Sequence, residues 1–239
     1  MELLYLDEVD STNKYAKENI DSFTDKTVIY TGFQSAGRGR LNRKWMFTGS
    51  GNIYASIILK PSCEIKDVYS NLTQYLCVKL CETFEKYGVQ PKIKWPNDIK
   101  INDKKISGIL AEAVIKNGKL KGIILGFGVN LNTPKEILEQ IDQPATSLNI
   151  EISKIVDKEI FLKKLLENFF LLYDEFIEKG FLLIKNDYIR RAEFLNKEVT
   201  VKVFDKSISG IAIGVTDFGA LRLKDKCNKE HILFIGDIL

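Results

Sequence analysis

The segment GRGRLNRKW, Gly37 to Trp45, holds Arg38, Arg40, Arg43 and Lys44 between two glycines and a tryptophan. An arginine fork matches the oxygens of a phosphate or carboxylate and keeps its charge at every physiological pH. Each charge-assisted hydrogen bond is worth about 1.5–3 kcal/mol, so two or three arginines on a prepared backbone can hold an anion. Gly37 and Gly39 suit that backbone, since glycine permits close approach and positive φ. Three uses are open from charge alone: a grip on nucleic acid, a grip on a small polyphosphate, or a solvated face. Trp45 adds an apolar surface, either an anchor for the end of the loop or a wall for a ligand.

Charge as a whole argues against a nucleic-acid coat. The chain of 239 residues has 35 Lys and Arg against 32 Asp and Glu, a net charge of only +3. Proteins that cover nucleic acid usually carry a basic stripe or a reading helix, and neither is evident. The four cysteines, Cys63, Cys77, Cys81 and Cys227, form no Cys-x-x-Cys pair, and His231 is the single histidine. Zinc spacings are therefore absent and no metal site is expected. Free thiols and an acidic, non-hydrophobic N-terminus suggest a cytoplasmic protein without a signal peptide or membrane anchor. Neither a Walker-type lysine loop nor a complete dinucleotide fingerprint occurs, GFGVNL lacking the third glycine.

The elements that must position the loop follow from periodicity. A short strand at 3–6 leads into a helix capped by Ser11 or Thr12. KTVIYTGFQ and NIYASIILK read as strands, the second closed by Pro61. Apolar residues every fourth position, Val68, Leu72, Leu76, Leu80 and Phe84, predict a helix ending at Gly88. KWPNDIKI places a turn at Pro96–Asp98 between two short strands, and Asn117-Gly118 joins two longer ones as a hairpin. A long amphipathic helix is expected over about 154–178, with Phe161, Leu165, Phe169, Leu172, Tyr173 and Phe176 inward, and a shorter one over 182–191. From Lys197 four short strands at roughly ten-residue spacing suggest a small barrel. The expected architecture is α+β: a central mixed or antiparallel sheet with helices packed on it (residues 1–195), then a small SH3-like β-barrel (196–239).

Five stretches then fall in one order: DSTN at 10–13, GRGRLNRKW, KWPNDIKI at 94–101, KKISGILAE at 104–112 and GFGVNLN at 126–132. In this order the chain resembles the biotin–protein ligases, or biotin–[acetyl-CoA-carboxylase] ligases, over essentially its whole length. The resemblance implies a two-step reaction. Biotin and ATP give biotinyl-5′-AMP and pyrophosphate, and the biotinyl group then passes to a lysine of a biotin carboxyl carrier domain. Biotin and ATP are thus substrates, with Mg²⁺ accompanying ATP. The same resemblance implies biotin contacts at Ser11, Thr12, Asn13, Gln34, Arg38, Gly39, Arg40, Lys105 and Gly108. It puts Arg38, Arg43, Trp45 and Asn130 on the ATP and adenylate side, and Lys105, Arg40 and Asp98 at the chemistry. A helix cap at Ser11–Asn13 and a plain turn at Asn97-Asp98 are the bland alternatives for those stretches.

Two departures stand out. Asn42 replaces the glycine usual in that part of the loop, and asparagine is the side chain most tolerant of left-handed backbone. The catalytic motifs begin by residue 10, so the N-terminal helix-turn-helix domain of the repressor members is not expected. A homodimer is implied by resemblance only. The competing readings are a lipoate–protein ligase or octanoyltransferase, related in fold, and a nucleic-acid-binding regulator.

Overall fold

The structure is a computed structural model describing residues 1–60 and 67–239, with the side chains of residues 42, 67 and 68 outside the description. Pro61 and Cys63 lie outside the described residues, and so does the side chain of Val68. Seven strands form one sheet in the order β1-β2-β3-β7-β6-β5-β4. They are β1 (Glu2–Val9), β2 (Thr27–Gln34), β3 (Ile53–Leu59), β4 (Lys92–Lys94), β5 (Asp98–Ile101), β6 (Lys104–Lys116) and β7 (Lys119–Val129). Only β1 and β2 run parallel, and helix α1 (Thr12–Glu18) makes the crossover a parallel pair requires. Every other pairing is antiparallel, so the sheet is mixed.

Strand β3 is buried along its whole length because both faces of the sheet are covered. On one face α1 and the turn after it pack Ala16 and Ile20 against Ile29, Ile58, Val114 and Ile124. On the other lies α2 (Leu72–Glu85), in a cluster with Ile57, Leu59, Ile109, Ile123 and Leu125. The predicted stripe Leu72, Leu76, Leu80 and Phe84 is fully buried. The helix starts at Leu72 rather than at 68, because 67–71 form a tighter 3-10 turn. Cys77 and Cys81 are buried, and desolvation pushes both thiols upward, so they act as small apolar groups.

Two short helices, α3 (Lys135–Leu138) and α4 (Leu148–Ile152), punctuate the stretch after β7. The long helix expected over 154–178 is in fact two. Asp157 caps the first, α5 (Lys158–Leu171), by accepting from Ile160 N at 2.9 Å. Leu172, at φ −118° and ψ 11°, separates it from α6 (Tyr173–Lys179). The break re-aims the aromatic face: Tyr173 stacks on Phe169 at 5.6 Å, and Phe176 stacks on Tyr75 at 4.3 Å. A second 3-10 turn at Gly180–Leu183 takes the first part of the next expected helix, leaving α7 (Lys185–Arg191). The hairpin turn at Asn117-Gly118 holds φ of 53° and 71°, the geometry that pair favours.

The last five strands form an antiparallel sheet in the order β11-β10-β9-β8-β12. They are β8 (Glu198–Val203), β9 (Lys206–Val215), β10 (Leu221–Lys224), β11 (Glu230–Leu233) and β12 (Asp237–Ile238). The stretch HILFIGDIL, read as one strand, is two, parted by Gly236 at φ 140°. That break sends β12 back to β8 and carries Asp237 toward the main sheet.

Candidate active site

A cleft opens where the start of α1, the end of β2 and strands β6 and β7 meet the arginine loop and β12. It has a polar end, a glycine floor and a cationic mouth.

The polar end begins at the α1 cap. Ser11 takes the extended N-cap conformation, and its hydroxyl accepts from Lys14 N at 3.4 Å. Gln34, the last residue of β2, turns its side-chain oxygen to Thr12, accepting from the backbone N–H at 3.0 Å and from Oγ1 at 3.3 Å. Ser56 of β3 lies 2.8 Å from Thr12 Oγ1 and 2.6 Å from Asn13 Oδ1. Asn13 Nδ2 donates to Glu112 Oε2 at 3.0 Å and to Leu110 O at 3.3 Å. A Cβ on Gly126 would collide with the Asn13 amide, so only glycine leaves room for this arrangement.

The floor is a pair of glycines facing each other across β6 and β7, Gly108 and Gly128. The Trp45 indole lies on them. A Cβ at Gly128 would run into the indole, and one at Gly108 would fall 2.9 Å from Cζ3. Lys105 Nζ stands 5.6 Å from the centre of the same ring, within cation–π range. The indole N–H is buried without a hydrogen-bond partner.

The arginine loop is a short hairpin. Arg38 bridges Lys44, Gly39 N donates to Arg43 O at 2.8 Å, and Trp45 N donates to Gly37 O at 2.9 Å. The left-handed residue is Leu41, at φ 51° and ψ 43°, whereas Gly39 is extended at φ −116°. The expectation of positive φ at the glycines is thus not met. Gly37 serves close approach instead, since a Cβ there would collide with Trp45 O and fall 2.5 Å from Gln34 Nε2.

At the mouth, Arg38, Arg40, Arg43, Lys44, Lys94 and Lys105 line the cleft against two carboxylates, Asp98 and Asp237. Lys105 Nζ and Asp98 Oδ2 are 2.8 Å apart. Arg40 Nη1 donates to Asp237 Oδ1 at 2.7 Å, to Gly236 O at 3.2 Å and to Asn97 Oδ1 at 3.3 Å. Asp237 is only 7% exposed, and its other oxygen is 3.5 Å from Arg43 Nη2. Burial holds the Lys94 ammonium below the ordinary lysine range, partly countered by the charge of Asp98. No carboxylate among the described residues lies within ion-pair distance of Lys94. A half-buried cation without a partner is a prepared place for an anion. No group of three or more His, Cys, Asp or Glu among the described residues is placed to hold a metal ion.

The structure therefore gathers Ser11, Thr12, Asn13, Gln34, Arg38, Gly39, Arg40, Arg43, Trp45, Asp98, Lys105 and Gly108 around one cleft. Asn130 is elsewhere: it is buried, its amide donates to Thr146 O at 3.1 Å, and it does not line the cleft. Sequence reasoning passed over Lys94, Ser56, Glu112 and Asp237. Lys94 carried a signal, as the basic residue opening KWPND beside a proline turn. Glu112 closes the KKISGILAE stretch on the same strand as Lys105, whereas Ser56 and Asp237 come from distant strands and carried none.

A mixed sheet whose strand ends hold a neutral, hydrogen-bonding pocket beside a basic loop defines an acyl-ligase type of site, and the chain belongs to the biotin/lipoate A/B protein ligase family, matched over residues 5–130. Residues 194–237 match the biotin protein ligase C-terminal domain. Among relatives, the bifunctional ligase/repressor BirA of Bacillus subtilis (strain 168) is 30% identical over 93% of this chain and 69% of its own length. The biotin–[acetyl-CoA-carboxylase] ligase of Paracoccus denitrificans is 28% identical over 93% of this chain and 94% of its own. In structure, the biotin protein ligase of Aquifex aeolicus, solved in complex with biotin and ATP, superposes with a TM-score of 0.84 at 29% identity, covering 100% of this chain and 97% of that one.

Proposed function

We propose that this chain joins biotin to ATP as biotinyl-5′-AMP and then transfers biotin to one lysine of a biotin carboxyl carrier domain. The observation that carries this reading is the polarity of the cleft: a neutral donor-and-acceptor end at Thr12 and Gln34, and a cationic mouth around Lys94, Lys105 and the loop arginines. A cyclic urea fits the first and a carboxylate beside a polyphosphate fits the second. The dithiolane of lipoate offers the polar end nothing to hydrogen-bond, which favours biotin.

Biotin's carboxyl has a reference pKa of about 4, so it arrives ionised and needs no base. In the first step its oxygen attacks the α-phosphorus and the bond to pyrophosphate breaks. Two anions must come together, and the loop arginines, Lys94 and Lys105 offset their repulsion. Mg²⁺ would enter with ATP, since among the described residues only Asp98 and Asp237 are carboxylates lining the cleft, both already facing cations; it would supply further charge neutralisation. In the second step the acceptor amine, with a reference pKa of about 10.4, must lose a proton before its nitrogen attacks the acyl carbon and AMP leaves. In this reading Asp98 orients that amine or takes the proton, once the incoming ammonium competes with Lys105 for it.

Arg38, Arg43 and Trp45 belong to the adenylate side in this reading. Asn130 acts at one remove, by holding the backbone at Thr146. The reading also includes a catalytic unit at 1–195 with a C-terminal unit at 196–239, a homodimer and a cytoplasmic location. No helix among the described residues is long and apolar enough to cross a membrane. The convergence of cations into one cleft disfavours a nucleic-acid-binding regulator. Incubation with ATP, biotin and a purified carrier domain tests the proposal. The carrier is expected to gain one biotinyl group by mass; an unmodified carrier, or salt-sensitive DNA binding in its place, contradicts it.

A further inference from the structure

Lys105 sits at the start of β6, where the main sheet supports its backbone least. On one side β7 ends opposite Ser107, short of Lys105. The stretch 144–146 takes its place there: Lys105 N donates to Pro144 O and Thr146 N donates to Lys105 O, each at 2.9 Å. On the other side the pairing with β5 is irregular between Ile99 and Lys100, and the turn that feeds β6 holds Asn102 and Asp103 at φ 49° and 61°. We propose that Glu151, on α4, is a positioning residue for Lys105, acting as a clamp between that stretch and that turn. The inference rests on the biotin reading given above, in which Lys105 serves the first step.

Glu151 is half-buried and does not line the cleft, so it acts through its neighbours. A carboxylate offers two oxygens to two donors. Oε1 accepts from the Thr146 hydroxyl at 2.5 Å, and Oε2 accepts from Asn102 Nδ2 at 2.8 Å. Thr146 is buried, and Glu151 is the hydrogen-bond partner of its hydroxyl among the described residues. Without the carboxylate that hydroxyl loses its partner at a buried site, and 144–146 must shift to recover one. The shift reaches Lys105 through the two backbone hydrogen bonds that bracket it. The Asn102 turn, released by the same loss, no longer resists it. At the far end of the side chain, Lys105 Nζ is held 2.8 Å from Asp98 Oδ2 and 5.6 Å from the centre of the Trp45 ring. Stabilisation of developing charge depends on placement, and a misplacement of about 1 Å can cost about hundredfold. A loosened backbone sets a smaller loss.

The test is the single-turnover rate of biotinyl-5′-AMP formation and, separately, of transfer from purified biotinyl-5′-AMP. Glu151→Ala is expected to slow formation about tenfold, the size of one lost hydrogen bond, and to leave transfer within about twofold of wild type. Glu151→Gln keeps an acceptor for Thr146, and Asn102 can turn its amide over to meet the new NH₂, so both rates stay within about twofold. Thr146→Val removes the same hydrogen bond from its other end and is expected to match Glu151→Ala. On a Lys105→Met background, adding Glu151→Ala slows formation by less than about twofold, because a residue that acts through Lys105 then has nothing left to place. Wild-type formation in Glu151→Ala or Thr146→Val overturns the inference. So does an equal slowing of transfer, an equal loss in Glu151→Gln, or the full loss repeated on the Lys105→Met background. A wild type that forms no adenylate from biotin defeats the functional reading, and the inference with it, before any variant is compared.

Discussion

Lys105 and Asp98 share one ion pair at 2.8 Å but have separate tasks in the two steps. Lys105 stabilises charge when the carboxylate meets the α-phosphate; Asp98 serves the amine that follows. Lys105→Met is expected to slow formation of biotinyl-5′-AMP about hundredfold, the scale of one lost electrostatic stabiliser. Asp98→Asn is expected to slow transfer from purified biotinyl-5′-AMP by about the same factor, as loss of a positioned base would. Single-turnover measurement of each half-reaction checks both, and normal transfer in Asp98→Asn contradicts the second-step role. These residues were legible because KWPND and KKISG are contiguous motifs whose strands, β5 and β6, pair side by side. Ser56 was not, because a serine on a regular strand looks like any other until the sheet brings it to Asn13.

At the level of elements, the arginine loop changed most between sequence and structure. Its glycines suggested positive φ, which neither Gly37 nor Gly39 takes. The structure shows a hairpin ladder pinned by Asp237 through Arg40. Asp237→Ala is expected to release that pin and raise tryptic cleavage within 37–45 several-fold in the absence of ligand, with biotin and ATP restoring protection; equal cleavage of variant and wild type contradicts it. The left-handed position fell on Leu41, beside Asn42, because hairpin register rather than residue preference decides which loop residue turns. The helices tell a similar story. Their apolar stripes were readable, yet the break at Leu172 was not, since it depends on aromatic stacking with α2. Phe169, fully buried against Tyr75 and Tyr173, anchors that junction. Phe169→Ala is expected to cost about 3–5 kcal/mol in urea unfolding, the usual range for an emptied aromatic site.

Across the whole molecule, the small C-terminal sheet is part of the site rather than an appendage. Asn71 and Gln74 at the start of α2 donate to Phe218 O and Gly219 O at 3.0 and 2.8 Å, tying its β9–β10 turn to the main body. Its last strand delivers Asp237 to the loop arginines. A mixed sheet with helices and a separate run of short strands was evident from periodicity, while that reach across the molecule was not. The central claim is that the cleft recognises biotin and activates it with ATP. It is tested most directly by pyrophosphate release from the purified chain given ATP and Mg²⁺ with either biotin or lipoate. Release that depends on biotin and is absent with lipoate is the predicted result. No release with biotin, or equal release with lipoate, would contradict the account.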